Sequence, residues 1–145
     1  MFSGCTSLNT MPLLPATTLA SACYKGMFNG CKNLKYIFDL PAIELTDLCY
    51  ANMFNGCTSL KKSFELPATT LESNCYYGMF KNCENLINVT SKLPAINLAP
   101  SCYESMFEGC KNLQKSPAIM AQLLIDNGSC RRMFYGCSSL NYIQT

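Results

Sequence analysis

A chain of 145 residues, 49% hydrophobic and 14% charged, is about the size of one domain and too apolar to remain a disordered tail. Its net charge of +2 comes from eleven basic and nine acidic residues scattered along the chain, a pattern that argues against a phosphate-binding surface and so against a nucleic-acid partner. Eleven cysteines stand beside no histidine at all, which removes the commonest general base and the commonest metal ligand together. No apolar run reaches the roughly 18 residues that read as a membrane span. The start, Met1 to Cys5, lacks the basic and apolar regions of a signal peptide.

The dipeptide Met-Phe recurs at Met1, Met27, Met53, Met79, Met106 and Met133, at intervals of 26, 26, 26, 27 and 27 residues. Each is followed at fixed distance by Cys and then Leu: Cys5 and Leu8, Cys31 and Leu34, Cys57 and Leu60, Cys83 and Leu86, Cys110 and Leu113, Cys137 and Leu140. A second cysteine precedes each later Met-Phe, at Cys23, Cys49, Cys75, Cys102 and Cys130. The cysteine count is thus a by-product of the repeat number, and a period of this length marks a solenoid, propeller or array.

Within one repeat, Met53-Phe54-Asn55-Gly56-Cys57 reads as a helix end, since the equivalent position is Gly4, Gly30, Gly56, Asn82, Gly109 and Gly136, the residue types that tolerate left-handed backbone. Leu60 to Leu66, stopped by Pro67, reads as a short strand. Thr69 and Thr70 offer hydroxyl caps, after which Leu71, Cys75 and Met79 fall at i, i+4 and i+8 with Tyr76 and Phe80 alongside, the stripe of a short helix. A helix of two to three turns would not hold alone, so neighbouring repeats must supply its packing.

The stretch Cys-Tyr-x-x-Met-Phe-x-Gly-Cys-x-x-Leu, carried in whole or in near-complete form by Cys23 to Leu34, Cys49 to Leu60, Cys75 to Leu86 and Cys102 to Leu113, resembles the BspA-like leucine-rich repeats. The last unit departs from it: Arg131 replaces Tyr, and Pro117-Ala118-Ile119 replaces the Leu-Pro step. The resemblance implies an α/β leucine-rich-repeat solenoid over residues 1–145, about five and a half repeats long, with a parallel sheet on one face and short helices on the other. It also implies a bacterial cell-surface or secreted parent and a role in adhesion to host or matrix proteins.

Cysteine pairs eight residues apart, with no Cys-x-x-Cys, do not form a metal site, and no base recurs beside any thiol to make a nucleophile. Disulfides between stacked turns remain open, and an odd total leaves at least one thiol free. The reading adopted is a buried ladder of reduced cysteines in two columns. The repeat-locked Tyr24, Tyr50, Tyr76 and Tyr103 are expected to pack their rings inward with hydroxyls near solvent.

Residues that vary at equivalent positions decorate the surface of a solenoid. After the repeat leucine these include Tyr36, Phe38 and Asp39, then Lys61, Lys62, Phe64 and Glu65, then Ile87 and Asn88. Their mixed aromatic, basic and acidic character suits a protein partner. Three Asp and six Glu recur in no acid and base pair, and the glycines sit mostly at turns, so the chain reads as non-enzymatic and without cofactor. A scaffold or spacer rod is the competing reading. Because the sequence begins and ends mid-repeat, it is expected to be a piece of a longer array or a chain whose ends associate with neighbouring domains or copies of itself. Replacing Cys57 by Asp, which buries an unpaired charge, is expected to abolish the cooperative thermal transition; a variant that melts like the parent would refute an inward-facing ladder.

Overall fold

In a computed structural model describing residues 1–122 and 128–144, the chain winds into stacked coils, one per repeat. The helices expected before each Met-Phe are absent among the described residues, and the reason lies in the backbone. Residues 48, 52 and 56 have φ of 57°, 53° and 74°, and the same left-handed geometry returns at Asn74, Gly78 and Asn82, and at Ser101, Ser105 and Gly109. A left-handed residue every fourth position breaks an α-helix, which needs an unbroken right-handed run.

What forms instead is a ribbon of consecutive β-turns. Between residues 48 and 57 the amides of Ala51, Met53, Asn55 and Cys57 each donate to the carbonyl three residues back, at 3.1 to 3.2 Å. Every second turn carries its left-handed residue in the third position, as type II turns require. The intervening amides, those of Leu48, Tyr50, Asn52, Phe54 and Gly56, donate to Ser73, Cys75, Tyr77, Met79 and Lys81 of the next coil, at 2.7 to 3.1 Å. Alternate N–H groups thus hold the turn and the stack, leaving none of these donors unpaired.

The ribbon buries two adjacent side chains in every four. Cys49, Tyr50, Met53, Phe54 and Cys57 are all at most 1% exposed. Stacking at the coil spacing then aligns like with like. Phe2, Phe28, Phe54, Phe80, Phe107 and Phe134 form one column with ring centroids 5.4 to 5.8 Å apart and planes within 9°. Tyr24, Tyr50, Tyr76 and Tyr103 form a second, at 5.8 to 5.9 Å. Near-parallel rings at these separations are offset, the arrangement the aromatic quadrupole prefers over a face-to-face sandwich. Two of the tyrosine hydroxyls expected near solvent turn inward instead. Those of Tyr50 and Tyr103 are buried and without a hydrogen-bond partner among the described residues.

The sheet is sparser than one strand per repeat. The described strands are β1 (Lys92–Leu93) and β2 (Ala118–Ile119), paired in parallel with Lys92 opposite Ala118 and Leu93 opposite Ile119. Elsewhere the coils meet in single parallel bridges, Thr10 with Tyr36, Lys62 with Asn88, Lys115 with Tyr142 and Glu44 with Thr70. Two causes act. Neighbouring amides converge on one acceptor, as Ile87 and Asn88 do on the Lys61 carbonyl, and the prolines after each row offer no N–H to continue it. The departure at Pro117-Ala118-Ile119 is where β2 forms.

One packing rule crosses the coils. A Cβ placed on Gly109 would lie 2.5 Å from Asn82 Oδ1, and one on Gly78 would lie 2.4 Å from Asn52 Oδ1, so asparagine in these coils sits beneath glycine in the next. Gly109→Ala is predicted to destabilise by about 1–2 kcal/mol, from left-handed strain and this collision together. The Asn82→Gly background should recover about 0.5 kcal/mol or more of that in a denaturant-melt double-mutant cycle; strictly additive losses would contradict the contact.

Candidate functional site

On the strand side, the outward residues of neighbouring coils line two depressions that share Lys35, Tyr36 and Lys62. The larger, about 610 Å³, is lined by those three with Ser59, Lys61, Asn85, Ile87 and Asn88. The smaller, about 350 Å³, continues past Tyr36 to Phe38 and Asp39. Tyr36 is 61% exposed, Phe38 41% and Ile87 37%, and together they give the depressions an apolar lining beside the lysines.

Of the residues singled out from the sequence, Tyr36, Lys61, Lys62 and Asn88 meet in the larger depression, and Tyr36, Phe38, Asp39 and Lys62 in the smaller. Glu65 lines neither. Its carboxylate accepts from the Thr90 hydroxyl at 2.9 Å and from the Ser91 amide and hydroxyl at 3.2 Å each, fastening one coil to the next. Phe64, placed among the outward residues, turns inward to 8% exposure and packs edge-on against Phe54 and Phe80. Ser59 and Asn85 were missed because they precede the repeat leucine; their variation within the Cys-x-x-Leu turn was the available signal. Asn85 is held in place, donating to the Thr58 carbonyl at 2.8 Å and accepting from Asn112 at 3.1 Å.

The turn side carries a separate charged cluster. Arg131, the residue that breaks the repeat pattern, donates to Glu104, and Arg132 and Lys81 converge on Glu108. Hydrogen bonding from Arg132 outweighs burial and pulls the Glu108 carboxyl down to about 2. These carboxylates are already matched by cations on adjacent coils, so the cluster binds coil to coil.

All eleven cysteines are free thiols. Cys31, Cys49, Cys57, Cys75, Cys83, Cys102 and Cys110 are buried, whereas Cys130 and Cys137 are half-buried. Cys5 and Cys23, the first members of their two columns, depart from the expected buried ladder and are exposed. In the column that closes each turn, the thiol donates to the phenylalanine carbonyl of the preceding coil: Cys31 to Phe2 at 2.9 Å, then Cys57 to Phe28, Cys83 to Phe54, Cys110 to Phe80 and Cys137 to Phe107 at 3.1 Å. Burial pushes the Cys49 and Cys102 thiols up to about 11 and Cys57 to about 12. Among the described residues no group of three or more His, Cys, Asp or Glu could hold a metal ion.

No family model and no curated protein matches the chain. Among solved structures, a leucine-rich repeat protein from Bacteroides ovatus is similar to it, with 20% identity over 93% of this chain and 42% of that one and a TM-score of 0.40. The chain spans less than half the length of that protein. The coil described above rests on the hydrogen bonds of this chain itself.

The thiols set an alkaline limit. An ordinary thiol ionises near 9 and the folded Cys57 near 12, so above about pH 9 the unfolded chain releases protons that the folded chain keeps. Stability is therefore full below about pH 9 and is lost as pH rises, by up to about 1.4 kcal/mol per pH unit for each fully buried thiol. The melting temperature is predicted to hold steady from neutrality to about pH 9 and to fall steeply by about pH 11; a flat profile across that range would contradict thiol burial.

Proposed function

We propose that this chain is a non-enzymatic protein-binding module of the kind used for adhesion at a bacterial cell surface, recognising a host or matrix protein or a neighbouring domain through its variable strand face. The observation that carries the reading is the pair of joined depressions around Tyr36 and Lys62, where side chains that differ from coil to coil stand exposed above a core that repeats. Exposed aromatic residues such as Tyr36 and Phe38 are enriched at protein-recognition surfaces. The surface or secreted setting follows from the resemblance to BspA-like repeats.

Catalysis has less support. A nucleophilic cysteine needs a lowered pKa, and burial drives thiols such as Cys49 and Cys57 the other way. A spacer rod would use the same core but would leave the strand face without a ligand.

Phage-displayed random peptides selected on the intact chain and counter-screened on the Tyr36→Ala/Lys62→Ala variant test the difference. The reading predicts clones that bind the parent and not the variant, with the two proteins melting alike. Selection that yields no face-dependent clones would favour the spacer.

A further inference from the structure

We propose that the groove along Tyr36, Lys61 and Lys62 holds an extended peptide segment bearing carboxylates next to an aromatic or aliphatic residue. This rests on the protein-binding reading above and narrows it to one ligand chemistry.

Charge supplies the first argument. Lys35, Lys61 and Lys62 all line the larger depression, no carboxylate lines it, and none of the three is in an ion pair among the described residues. The contrast with the turn side is informative, because Lys81, Arg131 and Arg132 each face a glutamate there. Three unpaired ammonium groups on adjoining coils favour an anionic partner and disfavour a cationic one.

Shape and polarity supply the second. From Lys35 to Asp39 the row runs five residues, four steps or roughly 13 Å at about 3.3 Å per extended residue, which matches five residues of extended peptide. Tyr36 on this row and Ile87 two coils away are the exposed apolar residues of the larger depression, and Phe38 follows Tyr36 into the smaller one. The far end of the smaller depression carries the Asp39 carboxylate, which repels negative charge. The groove is therefore graded, anion-seeking at the lysines, apolar at the rings and anion-averse at Asp39. A uniformly anionic polysaccharide fits the first part only, whereas a peptide places an acidic pair, an apolar side chain and a neutral or basic residue in sequence.

The test is fluorescence anisotropy with a fluorescein-labelled peptide, Gly-Asp-Glu-Phe-Gly-Lys-Gly, its counterpart with Lys in place of both acids, and polygalacturonate as an unlabelled competitor. The acidic peptide is expected to bind the parent chain, to lose about tenfold in affinity on Lys62→Ala and again on Tyr36→Ala, and to weaken as salt is raised. Lys25→Ala, at an exposed lysine of the turn ribbon that lines neither depression, should leave binding unchanged, and melting curves for all variants should superimpose, since each side chain is exposed. No binding of the acidic peptide, equal binding by the Lys61→Ala/Lys62→Ala protein, equal binding of the lysine counterpart, or displacement by polygalacturonate at matched charge would each overturn the proposal. If display returns face-dependent clones without acidic residues, the protein-binding reading stands and this one falls.

Discussion

The structure depends on a division of labour along the backbone. In the turn ribbon one amide closes a local turn and the next crosses to the following coil, as Met53 and Phe54 do to Tyr50 and Met79. That alternation requires a left-handed residue every fourth position, and the sequence meets the demand only partly with glycine and asparagine. Leu48, Ala22, Ser101, Ser105 and Arg132 are also held there. Each costs on the order of 1 kcal/mol or more, and persists because amides on both sides are anchored to neighbouring coils. No single repeat could hold this geometry alone, which is why the fold propagates by stacking.

The core follows from the ribbon. A four-residue period with two adjacent inward positions places the same side chain at the same height in every coil, so identical residues stack and the phenylalanine and tyrosine columns arise without separate specification. Cysteine suits the closing position because it is small and apolar, and its thiol reaches the carbonyl of the coil before, an oxygen that also accepts the amide of that coil's own cysteine, as Phe54 does from Cys83 and Cys57. The unpartnered Tyr50 hydroxyl shows the cost of strict repetition: the ring is wanted in the column, and its oxygen goes inward with it.

The coil, its period and its buried columns were legible from the sequence because they repeat. The local structure was misread because periods of 3.6 and 4 agree over two turns: Leu71, Cys75 and Met79 satisfy both. The discriminating signal was present in Gly26 with Gly30, Asn52 with Gly56, and Asn74, Gly78 with Asn82, left-handed-tolerant residues at intervals of four. Only the last of these in each repeat was read, as a helix end. On the strand side, Tyr36, Lys62 and Asn88 could be brought together because they occupy one register. The role of Glu65 was hidden because its partners, Thr90 and Ser91, lie one coil away and share no motif with it. Phe64 was misplaced because two outward positions and one inward position interrupt simple alternation along that row.

Charge is thus handled differently on the two sides of the chain: cations and glutamates on the turn side are paired from coil to coil, whereas Lys35, Lys61 and Lys62 on the strand side are in no ion pair among the described residues. All of this presupposes the turn ribbon. Through-hydrogen-bond NMR couplings on isotope-labelled protein test it most directly. The account predicts couplings from the amides of Tyr50, Asn52, Phe54 and Gly56 to the carbonyls of Cys75, Tyr77, Met79 and Lys81. Couplings from those amides to carbonyls four residues back in their own coil would mean helices, and would contradict it.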